Sequence, residues 1–80
     1  MEVKIEDIEA LVAEELGREG VTASDRIVED LGAESLDVAS IITELEDRYD
    51  IHIEESELPE LVTITDLYDC VRKHAGDDPA

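Results

Sequence analysis

The chain contains neither Phe nor Trp, and its only aromatic residues are Tyr49 and Tyr68. Any interior is therefore built from Ile, Leu, Val and Ala, and a core without large rings is compliant enough to admit a flexible apolar guest. Cysteine is almost as scarce. Cys70 stands alone, which excludes an internal disulfide and a thiolate metal cluster within one chain and fits a reducing, cytoplasmic setting. Basic residues are few: six Lys and Arg against twenty-four Asp and Glu leave a net charge of −18. That balance excludes a nucleic acid bound through a basic patch and points instead to a basic protein partner. No apolar run approaches the ~20 residues that cross a bilayer, and the opening Met1-Glu2-Val3-Lys4-Ile5-Glu6-Asp7 lacks the basic and apolar regions of a signal peptide. The expectation is a monomer without membrane insertion.

High acidity accompanies disorder when apolar residues are sparse, but 42% of this chain is hydrophobic, and those residues fall into periodic blocks. Ile5, Ile8, Leu11, Val12 and Leu16 recur at steps of three and four, predicting a first helix that stops at Gly17. Residues 17–34 hold Gly17, Gly20, Thr22, Ser24, Asp25 and Gly32, the composition of a long connection. Within it Asp25 is placed to cap a short turn, and Ile27, Val28 and Leu31 to pin the loop to the core.

A second helix is expected from about Ser35 to Tyr49, with Leu36, Ala39, Ile42, Leu45 and Tyr49 as its apolar stripe and Ile41 beside it. Ile51 and Ile53 flank His52 in an extended piece. Glu54 to Leu61 has room for a short helix that Pro59 either confines to a start near Leu58 or reduces to a turn. Thr63 and Asp66 are spaced as the cap of a last helix with Ile64, Leu67, Tyr68 and Val71 on its apolar face, and Arg72, Lys73 and His74 complement its negative end. Gly76 to Ala80 reads as a frayed tail. The predicted fold class is all-α: three main antiparallel helices plus one short helix, with a long loop between helices 1 and 2. One domain is expected over residues 1–76, followed by a flexible tail over 77–80.

The residues that stand out chemically are Glu34-Ser35-Leu36-Asp37, where a loop becomes a helix. Unpaired N–H groups and the positive end of the helix dipole favour a phosphate held on a side chain there. Ser35 thus reads as an attachment point. It does not read as a nucleophile, because Gly32-Ala33-Glu34-Ser35-Leu36 is not the G-x-S-x-G elbow and two histidines without a strand-turn-helix scaffold make no triad. No catalytic residue is assigned. No calcium-loop pattern is present, His52 and His74 are read as structural, Cys70 as a partly buried thiol, and no metal site is expected. Crowding of like charge is expected to raise carboxylate pKa values.

Val28-Glu29-Asp30-Leu31-Gly32-Ala33-Glu34-Ser35-Leu36-Asp37 resembles the acyl carrier proteins of fatty acid and polyketide synthesis, whose usual form around the serine is LGADSLD. The similarity runs over roughly residues 3 to 74. It implies that Ser35 receives a 4′-phosphopantetheine arm from coenzyme A, installed by a separate phosphopantetheinyl transferase with Mg²⁺. The arm's thiol then carries acyl groups as thioesters among acyl-transferring and chain-elongating enzymes. The resemblance places the docking surface for basic partners on Leu36, Asp37, Glu44, Glu46 and Asp47, and an acyl shelter among Ile41, Ile42, Leu45, Ile53 and Leu61. Glu34, Ser40, Thr43 and Pro59 depart from the family's pattern and bear on the partner set and on whether the carrier is a specialised one. The alternatives are an unmodified acidic docking module and an amino acid or peptidyl carrier.

Overall fold

A computed structural model describes residues 2–76; the expected tail at 77–80 lies outside them. Three α-helices follow one another, α1 (Ile5–Leu16), α2 (Ser35–Tyr49) and α3 (Ile64–Ala75), with a 3₁₀ helix at Glu55–Glu60 between the last two. The long loop precedes α2, as the residue composition predicts.

The helix ends follow from local chemistry. Gly17 ends α1 in the left-handed region at φ +62°, where a residue with a Cβ is disfavoured. Thr63 begins α3 with a reciprocal cap: its Oγ1 accepts from the Asp66 N–H at 3.1 Å, and Asp66 Oδ2 accepts from the Thr63 N–H at 2.9 Å. Two orphan donors are satisfied at once. Asp50 ends α2 with φ +53°, a conformation its short polar side chain tolerates better than most. Pro59 sits inside the 3₁₀ helix, the tight short geometry that accommodates what an α-helical interior would not.

Ile8, Leu11 and Val12 of α1, Ile41, Leu45 and Tyr49 of α2, and Ile64, Leu67, Cys70 and Val71 of α3 form the core with Val3, Ile27, Leu31, Ala33 and Ile53. No charged or polar side chain among the described residues is buried, so the acidic excess stays in water, where it is screened. The α2 stripe differs from its sequence expectation. Leu36 is 80% exposed and Ala39 is also exposed. Steps of three advance a helix by about 300°, so Leu36, Ala39, Ile42 and Leu45 spiral around it. The true core face takes Val38, Ile41, Leu45 and Tyr49, at steps of three, four and four.

The loop is fastened to the start of α3. Ile27 N–H donates to the Val62 carbonyl at 2.8 Å, Ile64 N–H to the Asp25 carbonyl at 3.2 Å, and Thr65 gives both its N–H and its hydroxyl to the Ala23 carbonyl at 3.0 Å. Arg26 and Thr63 form an isolated antiparallel bridge. Asp25 does not cap the turn through Ile27 and Val28 as expected: its Oδ2 accepts from Thr22 N–H at 2.8 Å. That turn is closed from its other end by Asp30, whose Oδ2 accepts from Arg26 N–H at 2.8 Å and from Arg26 Nε at 3.3 Å.

These bonds hold the Asp30 carboxyl below its ordinary pKa, chiefly through the Arg26 N–H and then the guanidinium. Glu57 is lowered likewise, first by its hydrogen bond with His74 and then by the Glu54 backbone. Both move opposite to the expected effect of like-charge crowding, because a donor in contact outweighs a diffuse, screened field.

Two outcomes follow. Leu45→Ala, at a site with no exposed surface, should cost about 2–5 kcal/mol in urea unfolding, while Leu36→Ala should stay within about 0.5 kcal/mol; equal effects would contradict the burial described. Asp30, depressed in the folded state, contributes stability that is present above its ordinary pKa of about 3.9 and lost as pH falls through the lower folded value. The melting-temperature gap between the parent and Asp30→Asn should therefore be full near neutrality and close in acid. A gap unchanged down to about pH 3 would rule this out.

Candidate functional site

Ser35 is the first residue of α2, and its side chain is exposed. The approach to it is set by a compact turn in which Gly32 N–H donates to the Val28 carbonyl at 3.0 Å and Ala33 N–H to the Ile27 carbonyl at 3.1 Å. Gly32 has φ +71° with nothing within 4 Å of where a Cβ would sit. The demand for glycine is thus one of backbone torsion, not of space. Leu31 and Ala33 are buried on either side, and Arg18 Nη1 donates to the Leu31 carbonyl at 3.1 Å. The chain therefore meets α2 from a pinned position.

Glu34 is the N-cap, and Asp37 Oδ2 accepts from its N–H at 2.9 Å. Asp37 thus braces the helix start directly beside the serine, while Leu36 projects into solvent.

An apolar cleft of about 720 Å³ opens next to Ser35, lined by Val28, Ala33, Glu34, Ser35, Val38, Ala39, Ile42, Thr43 and Leu58. Ser35, Val38, Ala39 and Ile42 stand at i, i+3, i+4 and i+7, one face of α2. The loop supplies Val28 and the 3₁₀ helix Leu58 as opposing walls. Val28 is 59% exposed, an unusual position for so apolar a residue.

Of the five residues expected to shelter an acyl chain, only Ile42 lines this cleft. Ile41, Leu45 and Ile53 are packed into the core, and Leu61 lines two smaller grooves, one of which shares Val28 and Leu58 with this cleft. The cleft is lined by residues of mixed burial, with Ala33 buried, Val38, Ile42 and Leu58 half-buried and Val28 and Ala39 exposed; the stripe expected for α2 included Ala39 and Ile42 but not Val38. The spacing from Ser35 along α2 is a signal for Val38, Ala39 and Ile42; Val28, expected with Ile27 and Leu31 to pin the loop to the core, is instead exposed on the cleft while the other two are buried, and Leu58 carries no such signal.

The expected docking residues divide in a similar way. Leu36, Glu44 and Asp47 are exposed and, with Ser40, lie on the outward side of α2. Glu46 turns inward: its Oε2 accepts from Ile53 N–H at 2.9 Å and lies 3.3 Å from His52 Nδ1. It braces the segment after α2. His52 also approaches Glu54, at 3.5 Å from Nε2, so its role is in the same connection.

Cys70 is buried, and burial pushes its thiol up to about 11, with Glu57 adding to the shift. At neutral pH it is an inert thiol. No helix among the described residues is long and apolar enough to cross a membrane.

Residues 6–71 match the family model described as "Phosphopantetheine attachment site". An acyl carrier protein of Syntrophobacter fumaroxidans is 37% identical over 92% of this chain and 90% of its own length. One from an Exiguobacterium species is 40% identical over 76% of this chain and 80% of its own. A solved structure assigned to the acyl carrier proteins, from Mycobacterium tuberculosis, superposes with a TM-score of 0.81 at 37% identity, covering 86% of this chain and 95% of that one. A chain in the solved ishigamide ketosynthase/chain length factor structure gives a TM-score of 0.74 at 26% identity, covering 90% of this chain and 93% of that one. With its helix order, its pinned loop and a serine at the head of α2, this chain belongs to the acyl carrier protein family, non-catalytic carriers that bear a covalent 4′-phosphopantetheine.

Proposed function

We propose that Ser35 Oγ is the atom to which the 4′-phosphopantetheine is joined, that a phosphopantetheinyl transferase installs it, and that the arm's thiol presents acyl thioesters to the enzymes that extend or transfer them. The observation that carries this reading is the exposed hydroxyl at the first position of α2, at the mouth of an apolar cleft. A phosphodiester there lies near the positive end of the helix dipole, and the bound arm supplies the thiol that the inert Cys70 cannot. The chain's own residues do three things: they hold the attachment point in the open, offer an apolar lining to the cargo, and present charge to partners.

The cleft supports a sheltering role for Val28, Val38, Ala39, Ile42 and Leu58 toward an apolar acyl chain, with Ala33 as its floor. Apolar lining next to the attachment point would cover methylenes that otherwise face water, at roughly 25 cal/mol per Å² buried. The outward side of α2 supports docking to basic enzyme surfaces through Leu36, Glu44 and Asp47. Asp37 contributes chiefly by holding the helix start. Exposed pairs of this kind contribute little affinity each but steer encounter, which suits a protein that must leave one enzyme to reach the next.

Incubating the chain with coenzyme A, Mg²⁺ and a promiscuous phosphopantetheinyl transferase should add about 340 Da by intact mass, and Ser35→Ala should abolish the increment. An increment that persists in the variant would move the attachment elsewhere, and none in either protein would remove the modification. Glu44→Lys with Asp47→Lys should lower the rate of transfer to a basic partner enzyme by several-fold at low salt, with the difference shrinking as salt rises. An effect insensitive to salt would argue that these carboxylates do not steer.

A further inference from the structure

Away from Ser35 and its cleft, the 3₁₀ helix and α3 bring three ligand-type side chains together. Cys70 and His74 are one turn apart on α3, at i and i+4, and so share a face. Glu57 reaches them from the 3₁₀ helix. His74 Nε2 lies 2.9 Å from both Glu57 carboxylate oxygens, and Cys70 Sγ lies 3.8 Å from Glu57 Oε1. One donor atom from each residue falls within 4.8 Å of the other two. The Glu57 and His74 side chains are 20% and 24% exposed and Cys70 is buried. This is therefore a recessed set with one open side, unlike the solvated carboxylates elsewhere on the chain.

We propose that Glu57, Cys70 and His74 form a binding site for a borderline-soft divalent cation of the zinc type, with a water completing the coordination. A tetrahedral ion at about 2.0–2.3 Å from nitrogen, oxygen and sulfur holds its ligand atoms about 3.3–3.8 Å apart. Glu57 and His74, now 2.9 Å apart, would part by about 0.4 Å to reach that spacing, while Cys70 Sγ already stands 3.8 Å from Glu57 and within 4.8 Å of the His74 nitrogen. The donor set also selects the ion: a thiolate with an imidazole suits zinc or cobalt, whereas Mg²⁺ and Ca²⁺ prefer all-oxygen shells.

Binding forms an S–metal bond and breaks the S–H bond, with the thiol proton released to solvent. The imidazole offers the Nε2 lone pair once its ring proton resides on Nδ1, and Glu57 exchanges its hydrogen bond to His74 for the metal. Because the thiol gives up its proton on binding, the exchange favours the metal as pH rises. Glu60, Asp66 and Asp69 line the adjoining groove and favour a cation; Lys73, also in its lining, opposes one. The consequence would be structural. Leu58, next to Glu57, is a wall of the cleft beside Ser35, so coordination would tie that wall to α3 and couple a distant ion to the mobility of the cargo's shelter. The site itself does not depend on Ser35 being modified.

The test is a Co²⁺ titration of the full chain carrying Ser35→Ala, so that no prosthetic thiol is present, in excess Mg²⁺ to occupy loose carboxylate sites. The expected result is one Co²⁺ per chain, with a sulfur-to-cobalt charge-transfer band in the near ultraviolet and the intense visible bands of tetrahedral coordination. Zn²⁺ should displace the cobalt. Adding Cys70→Ser should remove the charge-transfer band, and His74→Gln and Glu57→Gln should each weaken cobalt binding by about tenfold or more. His74→Gln and Glu57→Gln alter partly exposed positions, so they carry the test if Cys70→Ser does not keep its helical circular dichroism. A weak octahedral spectrum without charge transfer, or a tetrahedral one untouched by His74→Gln and Glu57→Gln, would overturn the proposal.

Discussion

The fold's function rests on how an eighteen-residue connection without an α-helix of its own, residues 17–34, is kept from wandering. Loops of this length are uncommon in compact domains because ordering them is entropically expensive. Here the backbone between Ala23 and Ile27 is hydrogen-bonded to Val62, Ile64 and Thr65, and Ile27, Leu31 and Ala33 are buried beneath it. Each bond adds only about 0.5–1.5 kcal/mol, but together with the buried side chains they leave the turn at Gly32 one trajectory. That trajectory ends at Ser35. Without the tie to α3, the hydroxyl would sit on a floating segment, and the cleft would lose the wall that Val28 provides.

Three directions on α2 then share the work. At about 100° per residue, Ile41, Leu45 and Tyr49 point into the core, and Ser35, Ala39 and Ile42 line the cleft. Leu36, Ser40, Glu44 and Asp47 look outward. Val38 lies on the boundary between core and cleft. Glu46 falls on the cleft's side but one turn beyond its end, which is why it meets the backbone of Ile53 instead of solvent. A single helix thereby joins a stable interior to an apolar cleft and a charged exterior, and Ser35 stands where all three begin.

Much of this was legible from residue order. Gly17, Thr63 with Asp66, and the three-and-four spacing of α1 are local signals, and local signals determine helix ends. The Ser35 region was legible because its motif is contiguous. What was not legible depended on distance in the chain. On α2 two apolar sets compete, and although Leu36 is as apolar as Leu45, it belongs to a series of threes that spirals around the helix, whereas Leu45 shares the three-and-four spacing of Val38, Ile41 and Tyr49 that faces the core. Asp25 and Asp30 are both plausible turn-closing residues by type, and the choice between them fell to Arg26, whose backbone and guanidinium both face Asp30. The cleft joins residues from the loop, α2 and the 3₁₀ helix, a conjunction that no window on the sequence contains. Cys70 and His74 already share a face of α3, but their approach to Glu57 depends on how the 3₁₀ helix packs against that face.

The electrostatics follow the same division between local and distant effects. A net charge of −18 invites the idea that every carboxylate is strained by its neighbours. The described structure instead keeps all charged side chains out of the core, so the repulsion acts through water and ions. At Asp30, in contact with Arg26, and at Glu57, in contact with His74, the contact sets the direction of the pKa. The diffuse charge is then free to act outward. Spread over exposed side chains, each charge contributes little to any one contact. A carrier that hands its cargo from one enzyme to another requires that weakness, since a partner held by a large buried interface would slow release and with it every later transfer.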